Sequence, residues 1–228
     1  MIGIGAAGLA GLALGAAAGA GKEEAGEAAT GAMARQYILA HPEIIDDVQD
    51  QLRIAPHRRA IETAFSGAWA GNRDADVTLV IFSDYNCPYC RATVPEIERV
   101  LAADPKLKVV WREMPVLGPA SDSAALAALA AAKQGKYVAF RRALFAGDHP
   151  DRNGIAAAAR AAGLDLVRFA ADRDAPDVTA EVASNLTLAQ RLQISGTPFF
   201  VIGNHSFTGA AGSDALAAAI AEARRQQG

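Results

Sequence analysis

Only two cysteines occur in these 228 residues, and only four histidines. A structural zinc site needs four ligands. His41, His57, His149 and His205 are scattered without metal-type spacing, so no zinc site can be assembled from this chain by pattern. Basic excess is also lacking: the net charge is −3, which argues against nucleic acid as a main partner. No repeat of solenoid length is present. Residues 2–21 carry no charge at all and are almost entirely Gly, Ala, Leu and Ile. They read as the apolar core of a signal peptide or as a membrane anchor, with Ala18-Gly19-Ala20 as a small-residue cleavage site. The basic stretch that usually precedes such a core is missing.

What is present is a hydrophobic content of 51 %, ample for a sizeable core in one or two domains. Residues 22–31 are small and polar and read as a linker. Residues 32–60 read as an N-terminal helical arm. Within it Pro42 marks a helix start, and Ile44, Ile45, Val48 and Leu52 form one apolar stripe. That stripe either packs on its own domain or joins copies of the chain into an oligomer. From residue 70 onward the pattern alternates strand and helix. Thr78–Phe82, Lys106–Met114 and Phe199–Ile202 read as strands, and His205–Thr208 as the partner of the last in a hairpin. Residues 120–194 are helical in pattern, punctuated by Gly135, Gly147 and Gly163 and restarted at Pro176. Asn185-Leu186-Thr187 matches a glycosylation sequon but falls in a helix interior. Ser213 is placed to cap a final helix that ends near Arg224 and Arg225.

Both cysteines sit in one tetrapeptide, Cys87-Pro88-Tyr89-Cys90, directly after the first strand and its loop. Pro88 suits the first position of a helix, where its missing N–H costs nothing. Cys87 then lies at the helix N-terminus, and Cys90 one turn later on the same side. Unpaired N–H groups and the helix dipole favour a thiolate at such a place, and the thiolate is the reactive form. This makes Cys87 the attacking sulfur and Cys90 the resolving one. A purely structural disulfide across so short a loop restricts the unfolded chain little. Two inert buried thiols, or a soft ligand pair for Cu(I) in a copper-handling or peptide-binding chaperone, are the alternatives.

Four stretches resemble the DsbA family of thioredoxin-fold thiol–disulfide oxidoreductases, including its ScsC- and DsbG-like members. They are Val80–Cys90, Trp111–Gly118, Phe140–Phe145 and Ile194–Gly203, and the likeness spans roughly residues 75 to 226. It implies an α/β thioredoxin fold: a central mixed sheet flanked by helices, with an all-helical insertion at about 120–194, preceded by the helical arm. Pro95 matches the family's helix-kinking proline. The likeness further implies a cis bond before Pro198, with Thr197 and Pro198 folded over the cysteines and offering main chain to an extended substrate, and Pro88 and Tyr89 shaping the site. It implies a protein that exchanges disulfides with cysteine-containing protein substrates. Residues 2–21 make that protein periplasmic or otherwise exported, and held to the membrane if the segment is kept as an anchor. No dissociable cofactor and no metal are needed, and an electron-transfer partner resets the pair. An oligomeric isomerase or reductase is the variant reading. Two departures stand out. Tyr89 replaces the histidine of strongly oxidising members, and Ile81 occupies the strand position where the family often has an acid, which leaves Asp84 or water for the proton route.

Overall fold

The computed structural model describes residues 29–226; the signal-or-anchor reading of residues 1–21 lies outside them. The chain divides into two compact units, with the boundary between Val48 and Gln49. In the first, helix α1 (residues 29–40) already covers residues 29–31, read above as linker. It stops at His41 and Pro42, and α2 (Glu43–Ile54) follows. Proline cannot extend a helix through its own missing N–H, and it biases the preceding residue away from helical backbone.

The second unit begins within α2. A short 3-10 turn (Ala55–His57) and α3 (Arg58–Glu62) lead to β1 (Trp69–Gly71), β2 (Val77–Ser83), α4 (Pro88–Ala103) and β3 (Leu107–Glu113). Five helices come next: α5 (Pro119–Lys133), α6 (Tyr137–Ala146), α7 (Arg152–Ala161), α8 (Leu166–Arg173) and α9 (Pro176–Arg191). The hairpin β4 (Phe199–Ile202) and β5 (His205–Thr208), then α10 (Ser213–Arg225), complete it. The five-stranded sheet has the order β1-β3-β2-β4-β5. Only β2 and β3 are parallel, joined by the crossover helix α4. A parallel pair requires such a crossover, whereas the β4–β5 turn needs only two residues.

Side-chain parity sorts the sheet into two faces. Val77, Leu79 and Ile81 of β2, with Leu107, Val109 and Trp111 of β3, join one core with α4, α5, α6 and α10. Val80 and Phe82 point the other way, onto Ile54, Ile61, Leu188 and Leu192. Both central strands are therefore covered on both sides, which is why they read as unbroken apolar runs. The alanine-rich α5 buries nine residues; its small side chains allow neighbouring helices to approach closely.

Three expectations need correction. The cap of the last helix is Gly212, not Ser213, which is the first helical residue and donates its N–H to Glu96 Oε2 at 2.8 Å. Residues 49–60 of the arm read over 32–60 belong to the second unit, where Ile54 is buried beside Ile61, which follows the arm. Asp50 there accepts from Ser206 Oγ at 2.9 Å. Finally, β1 has no counterpart in the strand reading. It exists by pairing antiparallel with β3, Trp69 opposite Val110.

Candidate active site

Cys87 is the N-cap of α4, with extended backbone (φ −82°, ψ 117°), and Pro88 is the first helical residue. The tight turn before it is set by Asp84, whose carbonyl accepts from Cys87 N at 3.2 Å. Pro95 lies inside the helix. Residues three apart at a helix start share a face, so Cys90 follows Cys87 one turn deeper. Both are free thiols and buried, Cys90 completely. Burial pushes the Cys90 thiol up to about 12, against partial relief from the Asp84 backbone and from the Thr197 and Ser83 hydroxyls. Tyr89, between them, points outward and is 63 % exposed.

The distant prolyl loop closes over this helix start. The Thr197–Pro198 bond is cis, and the Cys87 thiol donates to Thr197 O at 3.2 Å. Pro198 is buried, and its carbonyl is tied to Gly209 N at 2.9 Å. All six residues singled out from sequence (Cys87, Pro88, Tyr89, Cys90, Thr197 and Pro198) thus meet at one end of the sheet. Thr197 precedes β4 and lies outside the strand ladder.

Two further groups of residues complete the site; of their members only Asp84 has a part in the sequence reading, as a candidate for the proton route. The first is built on Asp84, which is buried. Its Oδ1 accepts from Asn86 N at 2.8 Å and Ser121 Oγ at 2.6 Å, and its Oδ2 from Val116 N at 2.8 Å and Leu117 N at 3.0 Å. Asp84 is therefore a strut, locking the cysteine loop to the Met114–Gly118 loop and to α5. The second centres on Glu113, 1 % exposed at the end of β3. Tyr137 Oη–H donates to its Oε1 at 2.6 Å and Tyr85 Oη–H at 3.2 Å. The Arg141 guanidinium lies over Trp111 (5.3 Å) and Phe145 (4.7 Å) and adds positive charge nearby. Burial outweighs these and pushes the Glu113 carboxyl up to about 7. A parity signal in the sequence could have found Glu113, because it falls on the inward register of Leu107, Val109 and Trp111.

Arg91 fixes α4 against the end of α6 by donating to Phe145 O and Gly147 O. Tyr85 stacks on Phe145 with ring centroids 4.7 Å apart. The helical insertion is thereby bound to the cysteine helix. Among the described residues no cluster of three or more His, Cys, Asp or Glu side chains could hold a metal ion.

A DSBA-like thioredoxin domain matches residues 78–221. The chain belongs to the DsbA family. A thioredoxin-like oxidoreductase from Silicibacter pomeroyi DSS-3 is 44 % identical over 69 % of this chain and 91 % of its own, with a TM-score of 0.67. The catalytic domain of Proteus mirabilis ScsC is 27 % identical over 77 % of this chain and 98 % of its own, with a TM-score of 0.71. The thiol-disulfide exchange protein alpha-DsbA2 of Wolbachia pipientis is 27 % identical over 77 % and 96 % of the two chains, with a TM-score of 0.72. The chain is also similar to part of the Na(+)/H(+) antiporter NhaA 3 of Salinispora tropica, 34 % identical over 67 % of this chain but 24 % of that protein. The chain spans about a quarter of the length of the curated relatives it matches. No helix among the described residues is long and apolar enough to cross a membrane.

Proposed function

We propose that this DsbA-family chain is an exported protein thiol–disulfide oxidoreductase working through Cys87 and Cys90. The observation that carries the reading is the Cys87 thiol at a helix N-terminus, 3.2 Å from the Thr197 carbonyl. Cys87 Sγ attacks a substrate disulfide, forming a mixed disulfide and releasing one substrate thiolate. Cys90 then attacks Cys87 Sγ, releasing the second substrate thiolate. The cysteine pair is oxidised by two electrons and the substrate is reduced by two; the reverse sequence oxidises a substrate dithiol. Thr197, outside the ladder and ahead of β4, offers main chain to an extended peptide, which reads backbone more than side chain and supports a broad range of cysteine-containing proteins. A redox partner protein of opposite poise resets the pair.

Insulin reduction and reduced-ribonuclease oxidation test this. Cys87→Ser abolishes turnover in both, and Cys90→Ser accumulates a substrate disulfide-linked through Cys87. Turnover that survives Cys87→Ser refutes the reading.

The arm of residues 32–54 is assigned to self-association in the same reading. Met33, Tyr37, Leu39, Ile45 and Val48 are large apolar side chains left exposed. Mass in solution falls to that of one chain when residues 1–41 are deleted; an unchanged mass removes this assignment.

A further inference from the structure

Cys90 has a proton problem. Its sulfur is fully buried, and burial holds the thiol strongly in its protonated form. Resolution of a mixed disulfide requires that proton to leave, and the reverse reaction requires it to return. Ile81 supplies no acid on β2, and both oxygens of Asp84 are engaged by donors. The sheet register supplies another route. Ser83 is the β2 partner of Glu113 on β3, and Met114 N donates to Ser83 O at 2.9 Å beside them. Paired residues on parallel strands project to the same face, with strands about 4.8 Å apart. That face is the one α4 covers, and the Ser83 hydroxyl is among the groups that offset the rise burial causes at the Cys90 thiol. Both phenols on Glu113 address Oε1, so Oε2 is the oxygen available to exchange a proton.

We propose that Glu113, acting through the Ser83 hydroxyl, takes the proton from Cys90 during resolution and returns it in the reverse reaction. The inference rests on the disulfide-exchange reading above. In the resolving step the Cys90 S–H proton passes to Ser83 Oγ while the Ser83 proton passes to Glu113 Oε2. Cys90 Sγ bonds to Cys87 Sγ, the bond from Cys87 to the substrate sulfur breaks, and the substrate leaves as a thiolate. In reverse, the proton on Glu113 neutralises the departing Cys90 thiolate.

The charged and titratable groups acting on Glu113 are Asp84 and Tyr85 after β2 and Tyr137 and Arg141 on α6, and the cysteines of α4 belong to the core on the same face of the sheet. Tyr85 and Tyr137 hold their protons far above neutrality because both are buried. Glu113 is thus the member of this set raised into the neutral range. It accepts a proton only when ionised, so resolution accelerates as pH rises through that range.

The test uses the reduced full chain and a dithio-bis-nitrobenzoate probe in stopped flow. The first, concentration-dependent release of nitrothiobenzoate reports attack by Cys87. The second, concentration-independent release reports attack by Cys90. Absence of the first phase refutes the exchange reading itself and leaves the relay nothing to serve. With the first phase intact, the second in the wild type rises through an inflection near 7, where burial places the carboxyl. Glu113→Gln slows that phase about tenfold or more and removes the inflection, without changing the first phase. Ser83→Ala does the same and Ser83→Thr restores it. Tyr137→Phe removes a hydrogen bond that favours the ionised carboxylate, so the inflection moves to higher pH; this arm decides the matter if the glutamine variant does not fold. A second phase within twofold of the wild type, with the same pH profile, in Glu113→Gln or Ser83→Ala overturns the proposal. So does an inflection left in place by Tyr137→Phe.

Discussion

Glu113→Gln should make the reduced protein progressively more stable than the wild type as pH rises, apart from any effect on turnover. In the unfolded chain the carboxyl ionises near its ordinary value of 4.5; in the fold, burial raises this to about 7. Below the lower value both states carry the proton and the residue contributes no pH dependence. Between the two the folded chain binds more protons than the unfolded one, so stability falls as pH increases. Above the higher value the loss is complete. The interval corresponds to about 3 kcal/mol, and because the side chain is 1 % exposed, solvent screening reduces it little. Glutamine is neutral throughout, can still accept from Tyr137 and Tyr85, and has nearly the same volume. Urea unfolding between about pH 4.5 and about pH 8.5 should therefore show the difference, variant minus wild type, growing by about 3 kcal/mol. Unfolding also releases the proton of Cys90, whose folded thiol is raised to about 12, as pH reaches the ordinary thiol range of about 8.5, but that contribution is common to both proteins and cancels in the difference. Parallel curves across that interval would refute the account of a buried carboxyl whose charge opposes folding.

Arg112, on the opposite face of β3, is buried and donates to the carbonyls of Ala60, Ile61 and Thr63 as well as to Asn185 and Glu181. Arg112→Ala leaves these acceptors unpaired and should cost about 3–5 kcal/mol in denaturant unfolding; a loss within 1 kcal/mol, on the order of a surface pair, would contradict its role as the tie holding α3 to the sheet. Asp84→Ala should destabilise by about 3 kcal/mol and speed amide exchange at Val116 and Leu117 ahead of the strands, whereas unchanged exchange there would show that the loop does not depend on the strut. Tyr89→His places an ionisable imidazole between the cysteines, where its cationic form favours the Cys87 thiolate. Equilibration with glutathione should then read a potential more oxidising by about 30 mV, tenfold in the equilibrium constant, and an unchanged or more reducing couple would count against that electrostatic argument.

The strands β2, β3 and β4 were legible because burial on both faces demands unbroken runs such as Thr78–Phe82, and composition records that demand locally. The start of α4 was legible for a similar reason: Pro88 fits only the first turn, so the placing of Cys87 at a helix end follows from neighbouring residues. The helix stops at Gly135 and Gly163 were readable too, and both adopt positive φ. β1 was not, since three residues carry no periodicity. Gly71 tolerates φ +94° there because it has no Cβ to meet the Leu107 carbonyl. Nor could the arm's true limit be read, because Ile54 and Ile61 look like any amphipathic stripe until the second face of the sheet is there to receive them.

The order of the elements, the reactive pair and its helix-end setting were thus fixed by short-range chemistry, which a linear chain carries in its spacing. The surroundings of that pair were decided only by folding. Tyr85, Glu113 and Tyr137 come from a loop, a strand and a helix separated by 24 and 28 residues. Thr197 reaches Cys87 across 110 residues. Desolvation has no local signature: whether a carboxyl is solvated at a strand end or sealed beneath two phenols depends on what packs over it, and that is set by the whole sheet and both of its helical layers.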